Sequence, residues 1–192
     1  MITISEELLS KYEQEDFIKD AKKKEKLSLK EVKQLSPNHI LRLINKMKKQ
    51  LQSDETMISL CKEYGETVDI IDYIPVRFGN LDVSGSTNHG IITLNNKLLC
   101  NSDVTEIKGY LLHECSHFFQ RCFGEKPTQS SNDGEYLENP FERDAFSRQV
   151  EFIADNKSEE KAEEYVDDLL EYHEVEDGKK KEKIENILLS RI

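Results

Sequence analysis

Two histidines four residues apart flank a glutamate in the run His113-Glu114-Cys115-Ser116-His117. On an α-helix, positions four apart stand about 40° from each other around the axis and one turn apart along it. Both imidazoles can therefore reach one metal ion as a two-toothed chelate. Glu114 lies beside that face, where a carboxylate can take a proton from a metal-polarised water without entering the coordination sphere. The flanking Leu111, Leu112, Phe118 and Phe119 read as packing positions, so the helix buries one side and presents the other.

A catalytic zinc site takes three protein ligands and keeps one position open, so a third ligand is needed. Cys115 and Cys122 stand about 200° and 180° around the helix from His113 and read as small core residues. The extended pattern HExxHxxGxxH is absent, because Gln120 and Phe123 occupy the Gly and His positions. His39, His89 and His173 fall at a helix start, a turn and a helix end, and read as surface histidines. The stronger candidate is a carboxylate in the segment 136–146, where Glu142 shares a helix face with Ala145 and Phe146. Its rival role is local: with Asn139 as N-cap, Glu142 is N3, the position from which a glutamate closes a capping box. Glu138 and Asp144 stand as reserve ligands.

These residues need elements to position them. Residues 5–65 read as helical: Leu8, Leu9, Tyr12 and Phe17 suit a first amphipathic helix, and Ser28 with Glu31 forms a capping-box pattern. Ser36-Pro37 then starts a helix carrying Ile40, Leu41, Leu43, Ile44 and Met47, and Asp54 starts a shorter one ending near Glu63. From Val68 to Asn95 the composition turns β-branched. VDIIDYIPVRF, LDVSGS and GIITLN read as short antiparallel strands, the last two joined around Thr87-Asn88-His89. The metal-binding helix should run from about Asp103 to Cys122, capped by Ser102 or Asn101, with Gly124 at C′. Asn139-Pro140 opens the next helix, an acidic helix follows near 158–173, and the tail GKKKEKIENILLSRI reads as a short amphipathic helix or a frayed end. The expected fold is α+β: mostly helical, with a small antiparallel sheet beside the HExxH helix. Three regions follow, a helical 1–66, a core 67–156 and acidic C-terminal helices 157–192 packing on that core.

Composition bounds the alternatives. Of 192 residues, 36% are hydrophobic and 34% charged, and the net charge is −11, which predicts a modest core ringed by charged helices. Residues 1–50 hold 12 Lys/Arg against 8 Asp/Glu, leaving −15 on the other 142. So acidic a body is a poor ligand for nucleic acid phosphates, and the clusters Lys22 to Lys24 and Lys46 to Lys49 read as solvated helix faces. No apolar stretch is long enough to span a bilayer. The first residues lack a signal-peptide layout, and the four cysteines form no CxxC pair. The expectation is a cytoplasmic protein without disulfides. The loop Ser130 to Glu135 lacks the spacing of an EF-hand and reads as a surface loop at the cleft rim.

The run HECSH, followed 25 residues after His117 by Glu142 in NPFERDAF, resembles the gluzincin branch of the zincin metallopeptidases. It resembles above all the minimal ImmA/IrrE-like and phage-encoded proteins with HExxH and a downstream ExxA. The resemblance covers roughly residues 79–155 and excludes the flanking helices. It implies that His113, His117 and Glu142 hold Zn2+ and that Glu114 is the general base. One departure stands out: Phe146 occupies the position where many larger gluzincins carry an Asp. The expected activity is hydrolysis of a peptide or protein substrate, with GIITLN as a sheet edge that holds it extended. Tyr136, Arg143 and His173 are the candidates for steadying the oxyanion. The alternative is a non-catalytic zincin-like protein that binds a protein partner.

Overall fold

A computed structural model describes residues 35–124 and 133–192. The expected first amphipathic helix, the expected Ser28/Glu31 box, the Lys22 to Lys24 cluster and residues 125–132 lie outside the described residues. Over the described residues the chain is mostly helical with one three-stranded sheet, an α+β fold as expected. Its elements are α1 (Pro37–Leu51), α2 (Glu55–Glu63), α3 (Ile70–Tyr73), β1 (Val76–Gly79), β2 (Gly85–Asn88), β3 (Ile91–Asn95), α4 (Leu98–Asn101), α5 (Val104–Cys122), a 3-10 turn at Asp133–Glu138, α6 (Pro140–Asn156), α7 (Glu159–Tyr172) and α8 (Gly178–Leu188).

Every long helix among the described residues opens on a side chain that accepts from its first-turn amides: Ser36, Asp54, Asp103, Asn139, Ser158 and Asp177. Such caps satisfy donors that have no partner within the helix. The cap of α5 is Asp103, not Ser102 or Asn101. Asp103 makes a reciprocal box with Glu106, and the preceding residues are taken up by the short α4.

The sheet departs from expectation in two ways. VDIIDYIPVRF is not one strand: α3 occupies its first half, burying Ile71 and, just past its end, Ile74. Pro75 then forces Ile74 into an extended conformation and starts β1. Lys48 secures this break, since its ammonium donates to the backbone oxygens of Asp72 (3.2 Å) and Ile74 (2.6 Å). The lysine is therefore buried at a helix C-terminus, not part of a solvated face as expected, and burial lowers its pKa. The sheet is also mixed, not antiparallel. Its order is β1-β3-β2, with β1 parallel to β3 (Val76 beside Ile92) and β2 antiparallel to it (Thr87 beside Ile92).

The connection 80–84 explains the topology. It must cross only the gap between two strand positions, about 9.6 Å, and the tight turn at His89-Gly90 then folds β3 back into that gap. Both turn residues have positive φ, 49° and 74°, as a two-residue hairpin requires. LDVSGS contributes only its end to β2. Its earlier part is a loop pinned by the Asn95 amide, which donates to the Leu81 and Val83 carbonyls. GIITLN is consequently the central strand and not an edge, with residues 92–95 all buried, and β1 and β2 form the two edges.

Two apolar clusters result. One joins α1, α2, α3, the sheet and α5 around Met47, Leu60, Ile92, Leu111 and Phe119. The other joins α6, α7 and α8 around Val150, Val166, Leu170 and Leu188. Helix α6 supplies both, with Phe152 in the first and Val150 in the second. Among the described residues no helix is long and apolar enough to cross a membrane.

Candidate metal centre

Helix α5 carries His113, Glu114 and His117 on a segment buried from Leu111 to Ser116. The side chains that define its site face come to it from β2 and α6. Nε2 of His117 lies 3.0 Å from Nε2 of His113 and 3.1 Å from Oε2 of Glu142, and His113 Nε2 lies 3.6 Å from that same oxygen. Donor atoms on a tetrahedron with zinc bonds of ~2.0–2.1 Å stand about 3.3 Å apart, so this triangle has the dimensions of a metal site. His113, His117 and Glu142 form a group able to hold a metal ion.

The chemistry of the donor set agrees. His117 Nδ1 faces the Gln120 side-chain oxygen at 2.9 Å, which can only accept, so Nδ1 carries the proton and the neutral ring turns a lone pair at Nε2 toward the centre. Glu142 adds a carboxylate there. Burial disfavours the His117 imidazolium, but Glu142, Glu114 and Gln120 outweigh that and raise its pKa. Burial likewise disfavours the Glu142 carboxylate, and the two histidines outweigh it, holding this group well below the usual carboxylate range.

The rival capping role of Glu142 is not taken up. Asn139 does cap α6 by accepting from Phe141 N, but its own N–H donates to the Tyr136 carbonyl at 3.2 Å. The Glu142 carboxylate is turned to the histidines instead. Ala145, fully buried, leaves room on that face of α6, and the Phe146 ring packs on His113 with centroids 4.4 Å apart. The other buried nitrogen of that ring, His113 Nδ1, has no hydrogen-bond partner among the described residues.

Glu114 is 6% exposed and is set by β2. Thr87 Oγ1 lies 2.7 Å from Glu114 Oε2 and 3.0 Å from its backbone oxygen, and shares its one proton between them. Gly85, on the same face two residues earlier, gives the carboxylate its space: a Cβ there would stand 2.6 Å from Glu114 Oε1 and 2.8 Å from its Cγ.

The remaining candidates lie around this core. Tyr136 sits against Glu142, and burial together with that carboxylate raises its pKa, keeping the phenol protonated. His173 stacks on the Tyr136 ring at 5.0 Å. Glu138 is turned away in an ion pair with Lys180. Asp144 pairs with Arg148 and Arg191. The Arg143 side chain makes no hydrogen bond or ion pair among the described residues. Cys115 is buried and Cys122 exposed, both free thiols outside the triangle. His39 and His173 are half-buried and His89 is exposed in its turn.

Thr87, Gly85 and the roles of Gln120 and Arg148 were not anticipated. Gln120 is the one with a local signal, since a residue three beyond a helical histidine shares its face. Thr87 lies 27 residues from Glu114, and nothing local links them. Compared with family models, with curated proteins and with solved structures, the chain matches none.

Proposed function

We propose that the protein is a zinc-dependent metallopeptidase in which His113, His117 and Glu142 hold the ion and Glu114 is the general base. The observation that carries this reading is the convergence of His113 Nε2, His117 Nε2 and Glu142 Oε2 within 3.6 Å, with a buried carboxylate next in sequence. The resemblance to gluzincins rests on the same residues and is part of the proposal. A bound zinc ion supplies Lewis acidity, which lowers the pKa of water and polarises a carbonyl. Glu114 then takes the proton of the attacking water and delivers it to the leaving amine. Thr87 keeps one carboxylate oxygen engaged, leaving the other for the proton. Tyr136, protonated and beside Glu142, is the neutral donor best placed to steady a developing oxyanion.

Of the two sheet edges, the one beside Glu114 is β2. Ser84 O accepts from Asn95 N, so alternation along the antiparallel ladder turns the Gly85 and Thr87 backbone groups outward. The Thr87 carbonyl is taken by an Arg121 guanidinium hydrogen, and the Gly85 amide and carbonyl are the groups offered to a substrate strand.

The test is metal uptake followed by hydrolysis. Protein purified without metal and then supplied with zinc should bind close to one equivalent and cleave an unstructured polypeptide such as reduced, alkylated protein. No uptake overturns the reading. Uptake without cleavage of any peptide leaves a metal-binding protein and removes the peptidase.

Gly85→Ala tests the geometry of the base. The added methyl must displace the whole Glu114 side chain, because its Cγ and Cδ as well as Oε1 lie within 3.0 Å of the new atom. Zinc content should stay at the wild-type level, while kcat falls about 100-fold, the cost expected for ~1 Å of misplacement at a reacting group. Wild-type kcat in this variant would show that Glu114 needs no fixed position.

A further inference from the structure

Resting on the metal-centre reading above, we infer that Gln120 is a positioning residue for His117. Its side-chain oxygen fixes the tautomer that points the Nε2 lone pair at His113 and Glu142, and a polar chain running from Asp144 through the buried Arg148 to Glu63 at the surface fixes Gln120.

Gln120 is 3% exposed and stands three residues after His117 on α5. Its amide nitrogen donates to the Phe141 carbonyl at 3.2 Å and to Asp144 Oδ2 at 3.3 Å. A carbonyl and a carboxylate only accept, so the nitrogen must face them and the oxygen must face His117 Nδ1, 2.9 Å away. That oxygen can only accept, and the proton of the neutral imidazole is therefore held on Nδ1.

The chain continues outward. Asp144 receives Arg148 Nε and Nη2, both at 3.2 Å, and Arg191 Nη2 at 3.1 Å. Arg148 is wholly buried and also donates to Glu63 Oε2 at 2.6 Å. Gln120 is thus braced by α6, by the end of α2 and by the residue stretch after α8. A ligand histidine almost always donates its second ring nitrogen to such an outer partner, which sets ring orientation and ligand basicity. Among the described residues only His117 has one in this centre. His113 has its ring against Phe146 and, among the described residues, no partner for Nδ1, so there its orientation comes from packing and that of His117 from Gln120.

The experiment compares wild type, Gln120→Met and Gln120→Glu. Methionine matches the length of glutamine but offers Nδ1 no acceptor of comparable strength, and glutamate keeps an acceptor toward Nδ1 while its second oxygen must carry a proton to replace the amide donor facing Phe141 O and Asp144. The first readout is the tautomer of His117 in the metal-free protein, taken from long-range nitrogen-proton NMR correlations at a pH above the imidazole range. The second is zinc affinity by chelator competition. Wild type should show Nδ1–H. Gln120→Met should shift toward Nε2–H and lose about 10–100-fold in zinc affinity, and Gln120→Glu should return to Nδ1–H. A role confined to helix packing would lower the melting temperature of the methionine variant and leave the tautomer alone.

The inference is overturned by Nε2–H in wild type, or by wild-type tautomer and zinc affinity in Gln120→Met. Wild type with Nδ1–H, altered in Gln120→Met but without zinc uptake in either protein, supports the hold of Gln120 on the ring and overturns the metal-centre reading alone.

Discussion

Glu114→Gln should abolish hydrolysis while leaving the zinc in place. A positioned general base contributes about 10²–10⁴-fold to such reactions, so kcat should fall by roughly three orders of magnitude. Zinc content should not change, because the ion-holding atoms belong to His113, His117 and Glu142. The fold should hold as well. Glutamine has the same shape, its amide oxygen can still accept from Thr87 Oγ1, which sits 2.7 Å from Glu114 Oε2, and a neutral amide is cheaper to bury than a carboxylate. Turnover, metal content and melting temperature measured together separate this result from a trivial loss of structure. Thr87→Val should give a smaller version, about tenfold in kcat with metal retained, since it frees the carboxylate without removing it. Retained turnover in Glu114→Gln would mean that another group takes the proton.

What the sequence disclosed follows the range of the interaction involved. His113, Glu114 and His117 are legible because four residues on a helix fix their relation without help from elsewhere. Glu142 is nearly as legible: Asn139-Pro140 sets the start of α6, and the start sets which residues share the face of Ala145. Helix starts are local too, and Ser36, Asp54 and Asn139 could be named from the chain alone. Asp103 was missed because Ser102 and Asn101 beside it are equally good capping residues, and only the Glu106 carboxylate three residues on, completing the box, separates them.

The sheet was harder for a different reason. Strand direction depends on which strands become neighbours, and the order β1-β3-β2 is set by the five-residue crossing 80–84 and not by any pattern within a strand. The position of GIITLN was nonetheless readable. Ile91, Ile92, Thr93 and Leu94 run without the polar alternation of an edge strand, as expected of a strand buried on both faces, whereas SGSTN is short and polar. The VDIIDYI segment favours a strand by propensity but folds as α3, because Lys48 satisfies carbonyls at its end from 24 and 26 residues away. The braces of the centre are more remote still. Glu63 and Arg148 are 85 residues apart, and their pairing becomes visible only once α2 and α6 are packed.

Glu142→Ala should cost at least about 100-fold in zinc affinity, and Glu138→Ala should cost nothing measurable. Removing a ligand takes away a bond to the ion itself, so the loss should exceed the 10–100-fold typical of an outer partner. Glu138 is spent on an exposed ion pair with Lys180, which is worth less than about 1 kcal/mol. Stability distinguishes a ligand from a cap in the same variant. Were Glu142 closing a capping box, its loss would unfasten the start of α6, whereas here the Asn139 N–H is already satisfied by the Tyr136 carbonyl. The metal-free Glu142→Ala protein should then lose only the favourable placement of a negative charge in the first helical turn, about 0.3–1 kcal/mol, together with the acceptor beside His117 and Tyr136. His113→Ala should match it in zinc loss, since the triangle needs all three corners. Chelator competition on the four proteins decides the matter: full zinc affinity in Glu142→Ala with a loss in Glu138→Ala would exchange the two carboxylates, and full affinity in both would move the third ligand off this segment altogether.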